Sequence, residues 1–292
     1  MKRPNLFVSV SGGETSWYMA KLINENFSNQ YNLLFGFANT GKERKETFDF
    51  NIKCSEYFGI DLHWIEAVVH FGEKKGCTHK IVLPHNYSKN GEPFIEVIKK
   101  YGIPNVSFPH CTRELKTNPL KSFAKEYFKN ESFKISIGIR MDEFDRVSKN
   151  KNFIYPLVSN FPTRKTDINK FWDSMPFRLG LKSYEGNCDL CFKKTLRKLL
   201  TVISEDKNSA KWWGETEKAY EQFNGNRLKS KPPYRFNRNN ISVDELINMS
   251  FTHFEKAIDG KYDFGSPYKQ LELFNLPLDI SNGCTESCEP FN

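Results

Sequence analysis

No stretch of the 292-residue chain approaches the roughly 20 consecutive apolar residues that span a bilayer. Met1-Lys2-Arg3-Pro4-Asn5 runs straight into a strand-like segment without a signal-peptide cleavage pattern. Both absences predict a cytoplasmic protein with no membrane partner. No repeat of fixed period and no long low-complexity tract is present, which excludes a fibrous protein. Acidic residues are in deficit, with 35 Asp and Glu against 43 Lys and Arg, a formal net charge of +8. That surplus favours polyanionic partners, nucleotides or nucleic acid, as a field effect only. Apolar residues reach just 38%, yet 15% of the chain is aromatic, including 26 Phe, too many for a disordered polymer. At roughly 150 residues per domain, the length suggests two domains or one large α/β domain with an appendage.

Apolar runs predict buried strands over residues 6–10, 32–38, 62–68 and 133–139, with a further candidate over 153–158. Helices are predicted over 15–26, 45–58, 93–101 and 115–129; the rest of 70–110 is irregular. Strands alternating with helices indicate βαβ units and a mostly parallel sheet, with ligands beyond the carboxyl ends of its strands. After Asp167 the pattern turns helical, over 168–175, 192–204, 211–223 and 243–259. Residues 224–240, with Pro232-Pro233, read as a loop, and the tail from 260 is irregular. A soft boundary near 165 thus separates an α/β nucleotide-binding domain, 1–165, from a helical C-terminal part, 166–292.

The first predicted strand ends in Ser9-Val10-Ser11-Gly12-Gly13-Glu14-Thr15-Ser16. Two glycines allow close backbone approach to a ligand. Ser11, Thr15 and Ser16 offer hydroxyls, and the start of a helix offers N–H groups to an anion. The segment is not a Walker A loop, because the lysine after the glycines is missing. A Gly-Gly after a strand is also, more simply, a tight turn.

This segment resembles the PP-loop of the ATP-pyrophosphatase superfamily, with Thr15 where that pattern usually has Asp. Asn39-Thr40-Gly41-Lys42-Glu43, with Glu46-Thr47, resembles the nucleotide-contacting segment of the phosphoadenylyl-sulfate (PAPS) reductase branch. Cys111-Thr-Arg-Glu-Leu-Lys116-Thr-Asn-Pro119 resembles that branch's Cys, Lys and Pro motif. Gly138-Ile-Arg140-Met-Asp142-Glu143-Phe-Asp-Arg146 resembles its Gly-x-Arg-x-x-Glu segment, and Gly186-Asn-Cys188-Asp-Leu-Cys191 its distal cysteine pair. The five motifs run in the family's order over residues 9–194. The resemblance implies an adenine nucleotide α-hydrolase-like, Rossmann-like fold acting at the α–β phosphate bond of ATP, or on PAPS. It implies nucleotide contacts from Ser11, Gly12, Gly13, Thr15, Ser16, Asn39, Thr40, Gly41, Glu43, Gly138, Arg140 and Arg146.

The residue types suit that chemistry. Phosphoryl-type transfer needs positioning and charge neutralisation, for which Lys116, Arg140 and Arg146 are the candidate cations. Glu43 or Asp142 is a candidate ligand for Mg²⁺, and Lys116, Arg140 and Asp142 are the candidate catalytic groups. A mixed-charge turn such as 140–146 is otherwise a solvated surface feature.

Cys188 and Cys191, three apart, suit one metal or cluster, a redox dithiol or two buried thiols. The resemblance adds Cys111, matching the first of a tandem pair in iron–sulfur adenylyl-sulfate reductases; Thr112 replaces the second. Three cysteines parallel the 4Fe-4S cluster of ATP-dependent tRNA-thiolation enzymes, whose open iron carries sulfur. Zinc is the alternative, with Cys77 or His79 as a fourth ligand. Cys54 reads as buried and inert. In the tail, Cys284 and Cys288 lack the Glu-Cys-Gly-Leu-His motif of PAPS reductases, but a tail thiol such as Cys288 is a candidate sulfur relay or nucleophile.

Lys193, Lys194, Arg197 and Lys198 form one basic stripe if helical. Arg227, Lys229, Lys231, Arg235 and Arg238 interleave with Phe223, Tyr234 and Phe236, as in surfaces that track RNA or DNA and stack its bases; a solvated loop has the same composition. Three functions follow: ATP-dependent adenylation and sulfur transfer, reduction of an adenylylated sulfate, or a non-catalytic nucleotide or nucleic-acid binding module. The sulfur or electron donor is unnamed by any of them.

Overall fold

The computed structural model describes residues 2–225, 231–260 and 291. In chain order the first elements are β1 (Asn5–Ser9), α1 (Glu14–Phe27), β2 (Asn32–Asn39), α2 (Lys45–Phe58), β3 (Leu62–Val68) and β4 (Thr78–Val82). There follow α3 (Glu92–Tyr101), α4 (Asn118–Tyr127), β5 (Phe133–Ser136), β6 (Phe153–Ile154), α5 (Pro156–Ser159) and α6 (Lys165–Asp173). The last are α7 (Leu196–Glu205), α8 (Asn208–Tyr220) and α9 (Val243–Met249). The strands form one six-stranded sheet in the order β4-β3-β2-β1-β5-β6. Every neighbouring pair is parallel except β4, which runs antiparallel to β3. The fold is α/β and Rossmann-like.

Burial explains the apolar runs. All five residues of β1 are buried, as a central parallel strand covered on both faces requires. Its alternation divides two cores: Leu6, Val8 and Val10 pack with α1, α2 and α6, whereas Phe7 packs with Leu34, Ile65, Ile135 and α4.

Several predicted elements are shorter than expected. The β5 ladder stops at Ser136. Of 153–158 only Phe153–Ile154 pairs, because Pro156 opens α5, where its missing N–H costs nothing. Residues 112–117 form a π-helical turn before α4, and α9 ends at Met249. Strand β4 was not legible in the sequence: His79 and Lys80 interrupt its apolar character, as befits an exposed edge.

The described residues form two compact units. The first holds the chain up to Phe94, Cys111–Gly180 and Phe291; the second holds Ile95–His110 and the described residues from Leu181 to Gly260. The division after Gly180, rather than near 165, has a packing cause. Trp172 of α6 is 1% exposed, its ring 4.9 Å from Phe50, and its Nε1 donates to the Glu14 carbonyl at 3.0 Å. In the second unit, Trp213 of α8 packs edge-on against Phe236, and Leu199 of α7 and Leu246 of α9 are buried.

Candidate functional site

The chain builds β1, β2 and β3 outward in one direction, then returns to add β5 on the other side of β1. The β1–β5 boundary is therefore the topological switch point, where the crevice beyond the strand ends accepts ligands. Because these strands are parallel, the turns after β1, β2 and β5 emerge at the same edge. They carry Ser11–Ser16, Asn39–Glu43 and Gly138–Arg146.

The first turn is internally braced. Ser11 donates from its backbone N and its Oγ to Ser16 Oγ, both at 3.1 Å, and Ser16 Oγ donates to the Gly13 carbonyl at 2.9 Å. Ser16 is fully buried and so shapes the loop from beneath. Gly13 is the N-cap of α1, with no side-chain hydrogen bond there, so an anion can fill the role a capping side chain usually takes. Gly12 has φ +84°, and a Cβ on it would lie 2.6 Å from Thr47 Cγ2. Gly12→Ala should therefore destabilise the first unit by about 2–4 kcal/mol, from left-handed backbone strain plus overpacking. A denaturant midpoint unchanged from wild type would refute this. Gly138 has a similar function: its Cβ would lie 3.2 Å from Ser16 Cα, so glycine lets the end of β5 approach α1.

Arg140 reaches from the turn after β5 to the first turn of α1. Its Nη1 donates to Thr15 Oγ1 at 3.2 Å, and its Nε and Nη2 donate to Asp142 at 3.0 and 3.2 Å. Glu143 lies 3.3 Å from the same guanidinium and also pairs with Arg146. Thr15, Arg140, Asp142 and Arg146 thus meet in one hydrogen-bonded group.

The second turn is closed on itself. Both Glu43 oxygens accept from Thr40, through its backbone N at 2.9 Å and its hydroxyl at 2.8 Å. Burial pushes the Glu43 carboxyl up, against the opposing pull of Lys116, whose Nζ is 3.8 Å away, and of Thr40. Asn39 donates to Glu66 at 2.7 Å and accepts from Gly41 N at 2.9 Å. Gly41 has φ +78°, and a Cβ there would lie 3.0 Å from the Gly91 backbone.

These contacts bear on the Mg²⁺ expected at Glu43 or Asp142. Both oxygens of Glu43 are engaged by Thr40, and both oxygens of Asp142 by Arg140. Asp142 orients Arg140, and Glu43 closes its own turn.

Arg178 and Glu66 lie outside the sequence motifs, and Glu114 lies inside one without having been singled out. Arg178 grips the Glu14 carboxylate with two bonds of 2.9 Å, neutralising an acidic group in the first turn of α1. Glu66 is a buried carboxylate on β3 that takes Ser88 N at 2.7 Å, Ser88 Oγ at 2.9 Å and Lys80 at 2.9 Å. Glu114 accepts from Cys77 N. Burial raises its pKa, but the hydrogen bond from Cys77 and the Arg113 side chain outweigh that and hold the carboxyl below its usual range. No local motif reveals the contacts of Glu66 with Asn39, Lys80 and Ser88 or of Glu114 with Cys77, since those partners come from elsewhere in the chain.

The cysteines fall in different units. Cys111 belongs to the first, and Cys188 and Cys191 to the second. Among the described residues, no three His, Cys, Asp or Glu side chains are grouped to hold a metal ion. The Cys188–Cys191 turn is nonetheless well supported: Lys194 donates from N to Cys191 O at 3.0 Å and from Nζ to Cys188 O at 2.8 Å, and Trp213 Nε1 donates to Asp189 at 2.7 Å. His79 Nδ1 is 2.9 Å from Ser122 Oγ, and Cys77 is buried. Burial drives the Cys54 thiol far up, as expected of an inert core cysteine. Cys284 and Cys288 lie outside the described residues.

The basic stripe is corrected by burial. α7 starts at Leu196, so Lys193 and Lys194 precede it; Lys194 and Lys198 are buried, and Arg197 pairs with Glu255 at 2.7 Å. In the basic loop, Arg227 and Lys229 lie outside the described residues. Tyr234 and Phe236 are buried and Arg235 pairs with Glu221, so these three do not form a stacking platform.

No helix among the described residues is long and apolar enough to cross a membrane. No family model matches the chain. The chain is similar to a protein of Escherichia phage lambda described as "Uncharacterized nin region protein ORF290", with 26% identity over 287 residues spanning 94% of this chain and 97% of that protein.

Proposed function

We propose that this chain is a PP-loop enzyme of the PAPS-reductase-like type that binds an adenine nucleotide at the carboxyl edge of its sheet. The reaction is adenylation of a substrate by ATP, followed by displacement of AMP by a sulfur nucleophile. The observation that carries the reading is the Arg140–Thr15 contact at the β1–β5 switch point, beside a helix start with no side-chain cap. There, backbone N–H groups and a guanidinium converge where an α-phosphate's charge needs stabilising. The substrate nucleophile attacks the α-phosphorus and pyrophosphate leaves. Arg140 neutralises charge on the transferred group, Asp142 orients Arg140, and Lys116 adds a second cation. Ser16 and Gly12 hold the loop's shape.

A 4Fe-4S cluster has only the sequence resemblance behind it, since no three candidate ligand side chains are grouped among the described residues. Brown colour in anaerobically purified protein supports it; colourless protein with stoichiometric zinc refutes it.

Reduction of a sulfonucleotide is the second reading. That reaction needs no metal-bound triphosphate, and the sequence resemblance to PAPS reductases supports it. The decisive assay supplies ATP, with and without RNA or DNA, or PAPS with thioredoxin. Pyrophosphate release selects adenylation, and sulfite release selects reduction. Nucleotide binding without either product reduces the chain to a binding module.

A further inference from the structure

We propose that Glu114 is a positioning residue, which holds the π-helical turn Thr112–Thr117 so that Lys116 faces the nucleotide site. This rests on the reading above only in taking Lys116 to meet the nucleotide's phosphates.

A π-helical turn holds one more residue than the α-helical turn and persists where its surroundings hold it. Here the surroundings converge on Glu114, whose side chain is 3% exposed. Its carboxylate accepts from Cys77 N at 2.9 Å, Arg113 Nε at 2.7 Å and Asn118 Nδ2 at 3.2 Å. These partners lie on the β3–β4 connection, within the turn itself and at the start of α4. The connection comes close because residue 76 is glycine: a Cβ there would lie 2.3 Å from Asn118 Nδ2. One carboxylate thus staples three segments together.

Two residues further on, Lys116 Nζ lies 3.8 Å from Glu43 Oε1, against the Thr40–Glu43 turn that follows β2. Each helical residue turns the chain by about 100°, so loss of the extra residue would swing Lys116 away from that turn. Stability alone does not call for a charge at position 114. An apolar side chain of similar volume generally packs as well as a buried ionised group, and it asks for no partners. The charge is instead suited to gathering three N–H groups at one point.

The test is a double-mutant cycle on the full chain, read by calorimetric titration with ATP. Glu114→Gln and Lys116→Met each weaken binding about tenfold, and the double variant is within about twofold of Lys116→Met alone. Additive losses in the double variant, or wild-type affinity in Glu114→Gln, overturn the proposal. Should Glu114→Gln fail to fold, Asn118→Ala removes one of the three contacts and enters the same cycle with the same criteria. A ligand-free arm separates this proposal from the nucleotide reading. Lysines are reductively methylated with ¹³C, and the Lys116 resonance is assigned by its loss in Lys116→Arg. Movement of that resonance in Glu114→Gln supports the positioning role, and an unchanged resonance overturns it. Wild-type protein that binds no adenine nucleotide overturns the nucleotide reading, and the resonance then decides for Glu114 by itself.

Discussion

Arg140→Met should weaken ATP binding about 10- to 100-fold in calorimetric titration, since charge-assisted hydrogen bonds contribute about 1.5–3 kcal/mol and each 1.4 kcal/mol is a factor of ten. The direction follows from the group Arg140 organises. Its guanidinium joins Thr15 to Asp142 and Glu143. Methionine keeps much of the side-chain bulk but leaves two carboxylates beside the loop without that cation, so an incoming anion meets repulsion as well as a lost donor. Arg140→Lys should recover only part of the loss. A point charge on a flexible stem cannot reproduce the planar fork that reaches Thr15 and Asp142 together. Affinity within twofold of wild type in Arg140→Met would place the ligand elsewhere.

Trp172→Ala should cost about 3–5 kcal/mol of stability, the range for truncating a large buried aromatic, measured as the loss in the denaturant transition that reports the first unit. The indole fills a pocket against Phe50 and Phe177, and its Nε1 satisfies the carbonyl of Glu14 in the first turn of α1. The same variant should weaken nucleotide binding, because α6 and the segment after it support the α1 start through Trp172 and Arg178. A loss below about 1 kcal/mol would mean that α6 is not integral to the first unit, and that a boundary near 165 is the better description.

The glycine turn was legible because its requirements are local. Gly12 needs a positive φ, and Gly12-Gly13 between a strand and a helix marks the site without knowledge of any partner. Arg140 was singled out as a cation directly after a predicted strand, and Lys116 through the resemblance of the Cys111–Pro119 segment. What they do with their charge was not legible. Asp142 read as a metal or catalytic carboxylate, yet it is spent on orienting Arg140. Glu43 likewise read as a Mg²⁺ ligand, but it folds back onto Thr40, three residues away. The basic stripe failed because charge in a sequence carries no burial: Lys194 turns inward to the Cys188 carbonyl, and Lys198 is buried.

The sequence by itself determined the α/β alternation, the strand-turn-helix around Gly12-Gly13 and the order of its motifs, because hydrophobic period and glycine conformation act within a few residues. The tertiary structure alone decided that the turns after β1, β2 and β5 share one edge at a switch point, that Arg178 neutralises Glu14, and that Glu66 and Glu114 are buried staples. Those outcomes depend on strand order and on partners brought together from distant parts of the chain. Such contacts form only when the sheet closes, so no local stretch of residues encodes them.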